Sequence, residues 1–241
     1  MQLKVIGTGS KGNAYLLENE EEALLIECGV RFSKIKEGLN GNLSKVVGAR
    51  QSHCHGDHSK GIKEALNAGI DVYMSDSDKQ LLDISHHRAK TIEPFKSFKI
   101  GGFNIKPFDV LHDVPCFGFL INHSETGNVL FLTDLIFSAY TFKNLNNIII
   151  EANYDEAIAK RNLNDMEFLR NRIIKSHMSL DTCVKTLKAN DLSKVNNIVL
   201  IHLSDSNSNE ILFRETVSKA TGKNVTVADN GLVLELNKTP F

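Results

Sequence analysis

Four side chains that could bind a metal ion occur within six residues in the first quarter of the chain. The segment His53-Cys-His-Gly-Asp-His58 has the spacing HxHxDH and directly follows a predicted strand. Imidazole and carboxylate groups are ligands that suit Zn²⁺, Mn²⁺ or Fe²⁺. A strand-to-helix loop can turn alternate side chains inward, so His53 and His55 can share one metal ion. Asp57 and His58, which begin the next helix, can face a second ion.

Three further candidate ligands, His112, Asp134 and His202, each follow a predicted strand. Taken alone, a polar residue at such a position more often begins a loop or caps a helix, and Asp134 could cap a helix at 135–140. Combined with the first segment, the order HxHxDH, His, Asp, His instead predicts one shared site for metal ions.

The segments that must position these residues alternate between strand and helix patterns. Strands are predicted at 2–6, 14–18, 23–27, 45–50, 70–74, 97–100, 102–109, 117–122, 128–132, 147–150, 197–201, 224–227 and 232–236. Helices are predicted at about 31–39, 59–68, 76–84, 160–175, 180–190 and 208–220. Alternating elements around a β-rich middle, without repeat or linker, predict one α/β domain over residues 1–241 with stacked layers. Periodicity does not distinguish this arrangement from other α/β folds.

Composition excludes several classes of protein. The chain has 241 residues, of which 41% are apolar and 24% are charged, so disordered and fibrous chains are excluded. No apolar run reaches 18 residues, so no membrane span is predicted. The N-terminal residues lack the pattern of a secretory signal. Four dispersed cysteines without a CxxC pair argue against a disulfide scaffold, and we predict a cytoplasmic location.

The order of the candidate ligands resembles that of the metallo-β-lactamase fold superfamily. Further segments resemble its WalJ/YycJ-type branch along nearly the whole chain. The branch motifs GSGSxGN, LIDxG, ESNxD, GHLS and HLSxxxN are resembled, in that order, by Gly7-Thr-Gly-Ser-Lys-Gly-Asn13, Leu25-Ile-Glu-Cys-Gly29, Glu151-Ala-Asn-Tyr-Asp155, Ser176-His-Met-Ser179 and His202-Leu-Ser-Asp-Ser-Asn207. Departures from the branch pattern include Glu27 in place of Asp and Ser176 in place of Gly. Neither is a candidate ligand.

This resemblance implies a four-layer αββα sandwich with two divalent metal ions, Zn²⁺ or Mn²⁺, with Fe²⁺ as a further candidate. The first ion would be held by His53, His55 and His112, and the second by Asp57, His58 and His202, with Asp134 bridging the two. Such a site keeps positions open for a hydroxide and a substrate oxygen, as a catalytic centre requires. Asp57 would also orient the attacking hydroxide.

The resemblance extends to phosphodiesterases such as ribonuclease Z, in which a late histidine follows a segment that contains a glutamate. Here these residues would be His177 and Glu151. His177 would protonate or stabilise the leaving oxygen, and Glu151 would orient its imidazole. The alternative is a histidine near the start of a helix with no catalytic role.

Substrate contacts are predicted at two places. The basic stretch 160–175 contains Arg170 and Arg172, which could steer a phosphate backbone, although a solvated helix face explains these charges almost as well. Ser204 and Asn207 could contact a phosphate or support the ligands. Because the net charge is −1, with 28 basic and 29 acidic residues, a polyanion would need such a local patch.

We therefore predict a binuclear-metal-dependent phosphodiesterase that uses a metal-bound hydroxide. Nucleic acid would be the substrate, with DNA favoured over RNA and a DNA exonuclease favoured among nucleases. An alternative is a metal-dependent hydrolase of small esters, thioesters or lactones, which would need the same ligands but not Glu151, His177 or the basic stretch. A third is a non-catalytic module, which the complete ligand set argues against. The sequence leaves metal identity, cleavage polarity and oligomeric state open.

Overall fold

Two seven-stranded β-sheets form the framework of the computed structural model, which describes residues 1–239. The strands are β1 (Gln2–Gly7), β2 (Ala14–Glu18), β3 (Ala23–Ile26), β4 (Val46–Arg50), β5 (Val72–Met74), β6 (Ala89–Thr91), β7 (Phe98–Ile100), β8 (Phe103–Val110), β9 (Cys116–His123), β10 (Gly127–Leu132), β11 (Leu145–Glu151), β12 (Asn197–Ile201), β13 (Asn224–Val227) and β14 (Val233–Glu235). The first sheet has the order β14-β1-β2-β3-β4-β5-β6, and the second has the order β13-β12-β11-β10-β9-β8-β7.

Helices follow the strands in both halves of the chain. They are α1 (Phe32–Gly38), α2 (Gly56–Ser59), α3 (Ile62–Asn67), α4 (Asp76–Leu81), α5 (Glu156–Asn162), α6 (Glu167–Ser176), α7 (Leu180–Ala189) and α8 (Glu210–Thr221). Among residues 1–239, no helix has the length and apolar character needed to cross a membrane.

The main core lies between the two sheets. Leu24 of β3 belongs to the same buried cluster as Phe119 of β9 and Ile149 of β11. In the second sheet, the strands from β10 to β13 are parallel. The inner strand β11 is buried along its whole length, as is typical of a parallel strand that is covered on both faces. By contrast, the first half of the antiparallel β8 alternates between buried and exposed residues.

Helices cover the outer face of each sheet. Against the first sheet, Ile62 of α3 packs in a cluster with Leu25 of β3. Against the second sheet, Leu187 of α7 and Phe213 of α8 pack in a cluster with Ile148 of β11. The order helix, sheet, sheet, helix confirms the predicted four-layer αββα sandwich.

The prediction of a single helix at 160–175 is wrong. The structure divides this stretch into α5, which ends at Asn162, and α6, which begins at Glu167. The break contains Asn164 and Asp165, whose side chains hydrogen-bond to each other. Short polar side chains of this kind favour non-helical backbone, while the buried Leu163 anchors the break to the protein.

Two smaller differences concern the first sheet. The helix predicted at 59–68 begins earlier and is divided into α2 and α3 at Gly61, where a Cβ would lie 2.7 Å from the carbonyl oxygen of Val30. The three-residue strand β6 was not predicted, because so short a segment has no readable alternation.

Candidate metal centre

The candidate ligands lie in loops at one edge of the sheets. Within the second sheet, β8, β10 and β12 run in the same direction, because β8 and β10 are both antiparallel to β9 and β10 to β12 are parallel. His112, Asp134 and His202 follow the carboxyl ends of these three strands. The loop that carries the HxHxDH segment begins after β4 of the first sheet. The fold therefore brings together residues that are far apart in the chain.

All seven predicted ligands belong to two compact groups. In each group, the candidate ligand atoms lie within 4.8 Å of one another; the groups are His53, His55 and His112, and Asp57, His58, Asp134 and His202. Asp134 belongs to the second group, with its Oδ1 atom 3.1 Å from Nε2 of His58. This cluster of imidazoles and carboxylates can bind metal ions. A bridging role for Asp134 stays a prediction.

Three residues at this edge have a left-handed backbone conformation. Glu27, Asp134 and His202 each follow the end of a strand and have positive φ angles of 65°, 46° and 56°. Non-glycine residues rarely adopt this left-handed conformation, which costs on the order of 1–3 kcal/mol per residue. Strain of this kind persists where the surrounding structure imposes it, and functional sites are common locations.

Close packing fixes the loop that holds Asp57. Gly29 follows β3, and a Cβ atom at this position would collide with the carbonyl oxygen of Asp57. The same carbonyl accepts a 2.7 Å hydrogen bond from the backbone N–H of Asn13. The glycine-rich segment after β1 therefore supports the metal-ligand loop.

Hydrogen bonds orient the histidine rings through their Nδ1 atoms. Nδ1 of His112 donates to the carbonyl oxygen of Ser176 at 2.8 Å. Nδ1 of His58 donates to Oε2 of Glu27 at 3.3 Å. These contacts direct Nε2 of each ring toward the centre, as is usual for histidines that bind metal ions. Nε2 of His112 lies 3.4 Å from Nδ1 of His55 and 3.0 Å from Oδ1 of Asp113.

Two histidine nitrogens test whether a metal ion fits. Nε2 of His53 and Nε2 of His202 are buried and have no hydrogen-bond partner among residues 1–239. Their Nδ1 atoms do have partners: Ser52 Oγ lies 2.9 Å from His53, and Glu151 Oε1 lies 3.2 Å from His202. A buried polar atom without a partner is costly, and a bound cation would satisfy both nitrogens. The residues present therefore fit divalent metal ions.

The buried charges of the centre shift the pKa values of its ligands in different directions. Burial holds the pKa of His53 well below its usual value, and the neighbouring His58 lowers it further, so the ring stays neutral. Burial alone would raise the pKa of Asp134, but His202 and His58 outweigh this effect and keep it well below its usual range. The carboxylates act in the opposite direction on two other ligands: despite burial, Asp134 and Glu27 raise the pKa of His58 to about 10, and Asp134 raises the pKa of His202 well above its usual value. Metal binding would displace the protons of these two rings, because a neutral imidazole and an ionised carboxylate are the forms that bind metal ions.

Glu151 connects the centre to His177. Its Oε1 atom lies 2.7 Å from Nδ1 of His177, and its Oε2 atom accepts hydrogen bonds from the backbone N–H groups of Leu135 and Met178, both at 3.1 Å. Burial alone would lower the pKa of His177, but the charge and hydrogen bond of Glu151 raise it above its usual value. The ring is thus held by Nδ1, which leaves its Nε2 atom free for a substrate.

A cleft of about 500 Å³ opens onto the centre. Its walls include His177 and three of the four predicted substrate contacts, Arg172, Ser204 and Asn207. The fourth, Arg170, does not line the cleft. On α6, the cleft side is formed by residues 169, 172, 173 and 176, and the helical repeat turns residue 170 away from it.

Two asparagines contact the candidate ligands, and we did not predict their roles. Nδ2 of Asn153 donates to the carbonyl oxygen of His202 at 2.8 Å. Nδ2 of Asn13 lies 3.1 Å from Nε2 of His58. Both asparagines belong to segments that resemble motifs of the WalJ/YycJ-type branch. That resemblance is the sequence signal that could have revealed their contacts with the ligands.

A buried ion pair lies behind His58 and was not predicted from the sequence. Arg50 has no exposed surface, and its guanidinium lies between the rings of Phe119 and Phe131, at 3.8 and 4.2 Å from their centroids. Its Nη1 atom is 3.7 Å from Oε1 of Glu27, the residue that contacts His58. Burial lowers the pKa of Arg50 to about 9, which leaves it charged at neutral pH. An arginine inside an otherwise apolar strand is the signal that could have revealed this pair.

We expect Arg50→Met to destabilise the protein by about 3–5 kcal/mol, because the buried Glu27 would lose its arginine partner and keep only its contacts with His58 and the backbone N–H of Ser52. The measurement is urea unfolding with a chelator present, so that metal binding does not contribute to the free energy of unfolding. The matched control is the double variant Glu27→Gln/Arg50→Met, which should recover most of the loss. If the free energy of unfolding of Arg50→Met lies within about 0.5 kcal/mol of the wild-type value, the ion pair does not stabilise the fold.

Comparisons with known proteins agree with this geometry. Exodeoxyribonuclease WalJ of Streptococcus pneumoniae is 27% identical over 221 residues, which cover 80% of this chain and 82% of the relative. Ribonuclease Z of Metallosphaera sedula is 25% identical over 150 residues, which cover 54% of this chain and 51% of the relative. The crystal structure of the metallo-β-lactamase fold protein YhfI from Bacillus subtilis matches with a TM-score of 0.72 and 20% identity, over 97% of this chain and 99% of that one.

The family comparison covers more than half of the chain. The model of the metallo-β-lactamase superfamily matches residues 7–172, a range that includes six of the seven candidate ligands and Glu151. The remaining ligand, His202, lies in the same compact group as Asp134. The chain therefore belongs to the metallo-β-lactamase superfamily.

Proposed function

We propose that this enzyme is a metal-dependent phosphodiesterase, specifically a nuclease, with DNA favoured over RNA and exonuclease action favoured over internal cleavage. The observation that carries the proposal is the contact between His177 Nδ1 and Glu151 Oε1, at 2.7 Å, beside the two ligand groups. A hydrolase of small esters or thioesters would need the ligand groups but not this pair. The names of the relatives, an exodeoxyribonuclease and a ribonuclease, also support nucleic acid as the substrate.

We propose two divalent cations, Zn²⁺ or Mn²⁺ with Fe²⁺ as a further candidate, held by the two ligand groups with Asp134 between them. When bound, the cations would act as Lewis acids toward a phosphodiester oxygen. Asp57 is half-buried at the cleft, with Oδ2 3.5 Å from Nε2 of His202. Its carboxylate would accept a hydrogen bond from the attacking water and so orient it.

His177 would act as the general acid. Because Glu151 accepts the hydrogen bond from Nδ1 and raises the pKa of the ring, the imidazole holds a proton more readily than a free histidine does. Its Nε2 atom would donate that proton to the leaving oxygen. General acid catalysis of this kind contributes about 10²- to 10⁴-fold to the rate.

Three polar residues would bind the substrate backbone. Arg172 and Ser204 line the cleft. Asn207 is almost fully buried beside Ser204, and its Oδ1 atom has no hydrogen-bond partner among the described residues. We propose that Arg172 pairs with a phosphate, while Ser204 and Asn207 offer polar atoms to the adjacent nucleotide.

We expect Arg172→Ala to weaken nucleic-acid binding and to reduce its salt dependence. A plot of the logarithm of the binding constant against the logarithm of the salt concentration has a negative slope. Loss of one phosphate contact should reduce the magnitude of that slope by about 0.9. The measurement is a salt titration of oligonucleotide affinity with a chelator present, and Arg170→Ala is the matched control because Arg170 lies outside the cleft. Equal slopes for the two variants would remove Arg172 as a specific phosphate ligand.

We further propose that the chain forms one hydrolase domain, because the cleft combines Asp57, which follows β4 of the first sheet, with His202, which follows β12 of the second. A cytoplasmic location also stays a proposal. It is supported by the four cysteines, all of which are free thiols.

The decisive experiment is a cleavage assay. Purified protein with Mn²⁺ or Zn²⁺ would be given single- and double-stranded DNA and RNA labelled at the 5′ or 3′ end, with Asp57→Ala as the inactive control. We expect a ladder of products with the wild type and none with the variant. No cleavage with either metal, combined with hydrolysis of a thioester or lactone, would contradict the nuclease proposal.

A further inference from the structure

Helix α6 exposes large apolar side chains at the rim of the cleft. Phe168 is 86% exposed, and Leu169 is 40% exposed and lines the cleft. Arg172, which also lines the cleft, lies one helical turn after Phe168, so the two side chains are neighbours on the helix surface. We refer to Phe168, Leu169 and Arg172 as the α6 rim.

Among residues 1–239, neither Phe168 nor Leu169 belongs to a buried hydrophobic cluster. On α7 and α8, the large apolar residues Leu187 and Phe213 are buried against the second sheet. On α6, by contrast, the phenylalanine ring faces solvent, and its exposure contributes nothing to folding. Exposed apolar surface beside a binding cleft commonly marks an interaction site.

The chemistry of the α6 rim favours one kind of occupant. A planar aromatic ring beside a guanidinium can stack on a base while the cation pairs with the adjoining phosphate. Lys175 adds a second exposed cation one turn beyond Arg172, although the chain as a whole has a net charge of −1. Apolar and positive groups therefore alternate along this rim, as they do along surfaces that bind single strands. In a duplex the faces of the bases are already stacked and are not available to Phe168.

We propose that the α6 rim binds unpaired bases of a single-stranded nucleic acid, with Phe168 as the stacking residue. This inference rests on the proposed nuclease function and adds a preference for single-stranded ends. Phe168 precedes His177 by nine residues, about 13 Å at the helical rise of 1.5 Å per residue. The base that stacks on Phe168 therefore lies a few nucleotides away from the phosphodiester that is cleaved.

The test measures binding without cleavage. Fluorescence anisotropy would compare a labelled 12-nucleotide single strand with the duplex of the same sequence, in a chelator, for wild type and Phe168→Ala. We expect the variant to bind the single strand about 5- to 150-fold more weakly, which corresponds to the loss of one stacked base. Duplex affinity should stay within about twofold, because duplex binding is mainly electrostatic.

Two controls separate stacking from other effects. Phe168→Tyr should restore single-strand affinity, because it retains an aromatic ring. Leu81→Ala removes another exposed apolar side chain, 62% exposed on α4, and should change neither affinity. With metal restored, Phe168→Ala should hydrolyse bis(p-nitrophenyl) phosphate as fast as the wild type, since that substrate is too short to reach the α6 rim.

The outcomes distinguish failure of this inference from failure of the proposed function. If wild-type protein cleaves nucleic acid and Phe168→Ala binds the single strand with unchanged affinity, the inference is wrong and the function stands. If that variant also converts a dimer to a monomer in sedimentation, the α6 rim is an interface between copies of the chain, which equally overturns the inference. If wild-type protein neither binds nor cleaves any nucleic acid, both proposals fail.

Discussion

Asp134→Ala should lose metal ions and hydrolysis together. Asp134 is fully buried, and its Oδ1 atom lies 3.1 Å from Nε2 of His58 and 3.8 Å from Nε2 of His202. Changes to groups that merely support a ligand cost about 10- to 100-fold in metal affinity or activity. Removal of a ligand carboxylate should therefore cost on the order of 10²-fold or more. Metal content by mass spectrometry and turnover on one substrate would measure the two losses.

The stoichiometry of this variant also tests the bridging role. A bridging carboxylate should be needed for both ions, whereas a ligand of the second group alone should leave the ion at His53, His55 and His112 in place. Asp109→Ala, which removes an exposed carboxylate from β8, is the matched control and should keep both ions. Full occupancy in Asp134→Ala would exclude Asp134 as a ligand.

His177→Ala should retain metal ions but lower turnover by about 10²- to 10⁴-fold, the usual contribution of a general acid. His177 is not a predicted ligand, although its candidate ligand atom lies within 4.8 Å of those of Asp134, Glu151 and His202 and its Nδ1 atom is 3.7 Å from Oδ2 of Asp134. The measurement compares an oligonucleotide with bis(p-nitrophenyl) phosphate. Because p-nitrophenolate departs without a proton, hydrolysis of the second substrate should be much less affected.

This difference between substrates separates general acid catalysis from structural support. A structural role for His177 would lower turnover on both substrates equally. His87→Ala, which removes an exposed histidine outside the cleft, serves as the matched control. Unchanged oligonucleotide turnover in His177→Ala would remove His177 from the mechanism.

Much of the candidate site could be predicted from the sequence. The HxHxDH spacing is local, so residue type and strand-to-loop position together indicate metal binding without knowledge of the fold. His112, Asp134 and His202 were predicted as ligands because each is a polar residue that follows an apolar strand. The structure brings all three to one edge of the sheets. Strong strand periodicity likewise predicted most strands of both sheets.

Local signals were weaker where competing preferences decide the backbone. The stretch at 160–175 has helix-forming residues at both ends, so it was predicted as one helix, but the polar residues of its middle break it into two. This break sets the rotation of α6. Only that rotation determines that Arg172 lines the cleft and that Arg170 does not.

Long-range contacts were decided by the tertiary structure alone. Arg50 ends β4 and Glu27 directly follows β3, the neighbouring parallel strand, so their contact can be predicted only once the register of β3 and β4 is known. Likewise, His112 is oriented by a backbone carbonyl 64 residues away. Because every residue has a backbone carbonyl, residue types alone cannot predict this contact. Sequence specifies which side chains can do chemistry, because that depends on residue type. Their orientation and charge depend on neighbours that only packing brings within hydrogen-bonding distance.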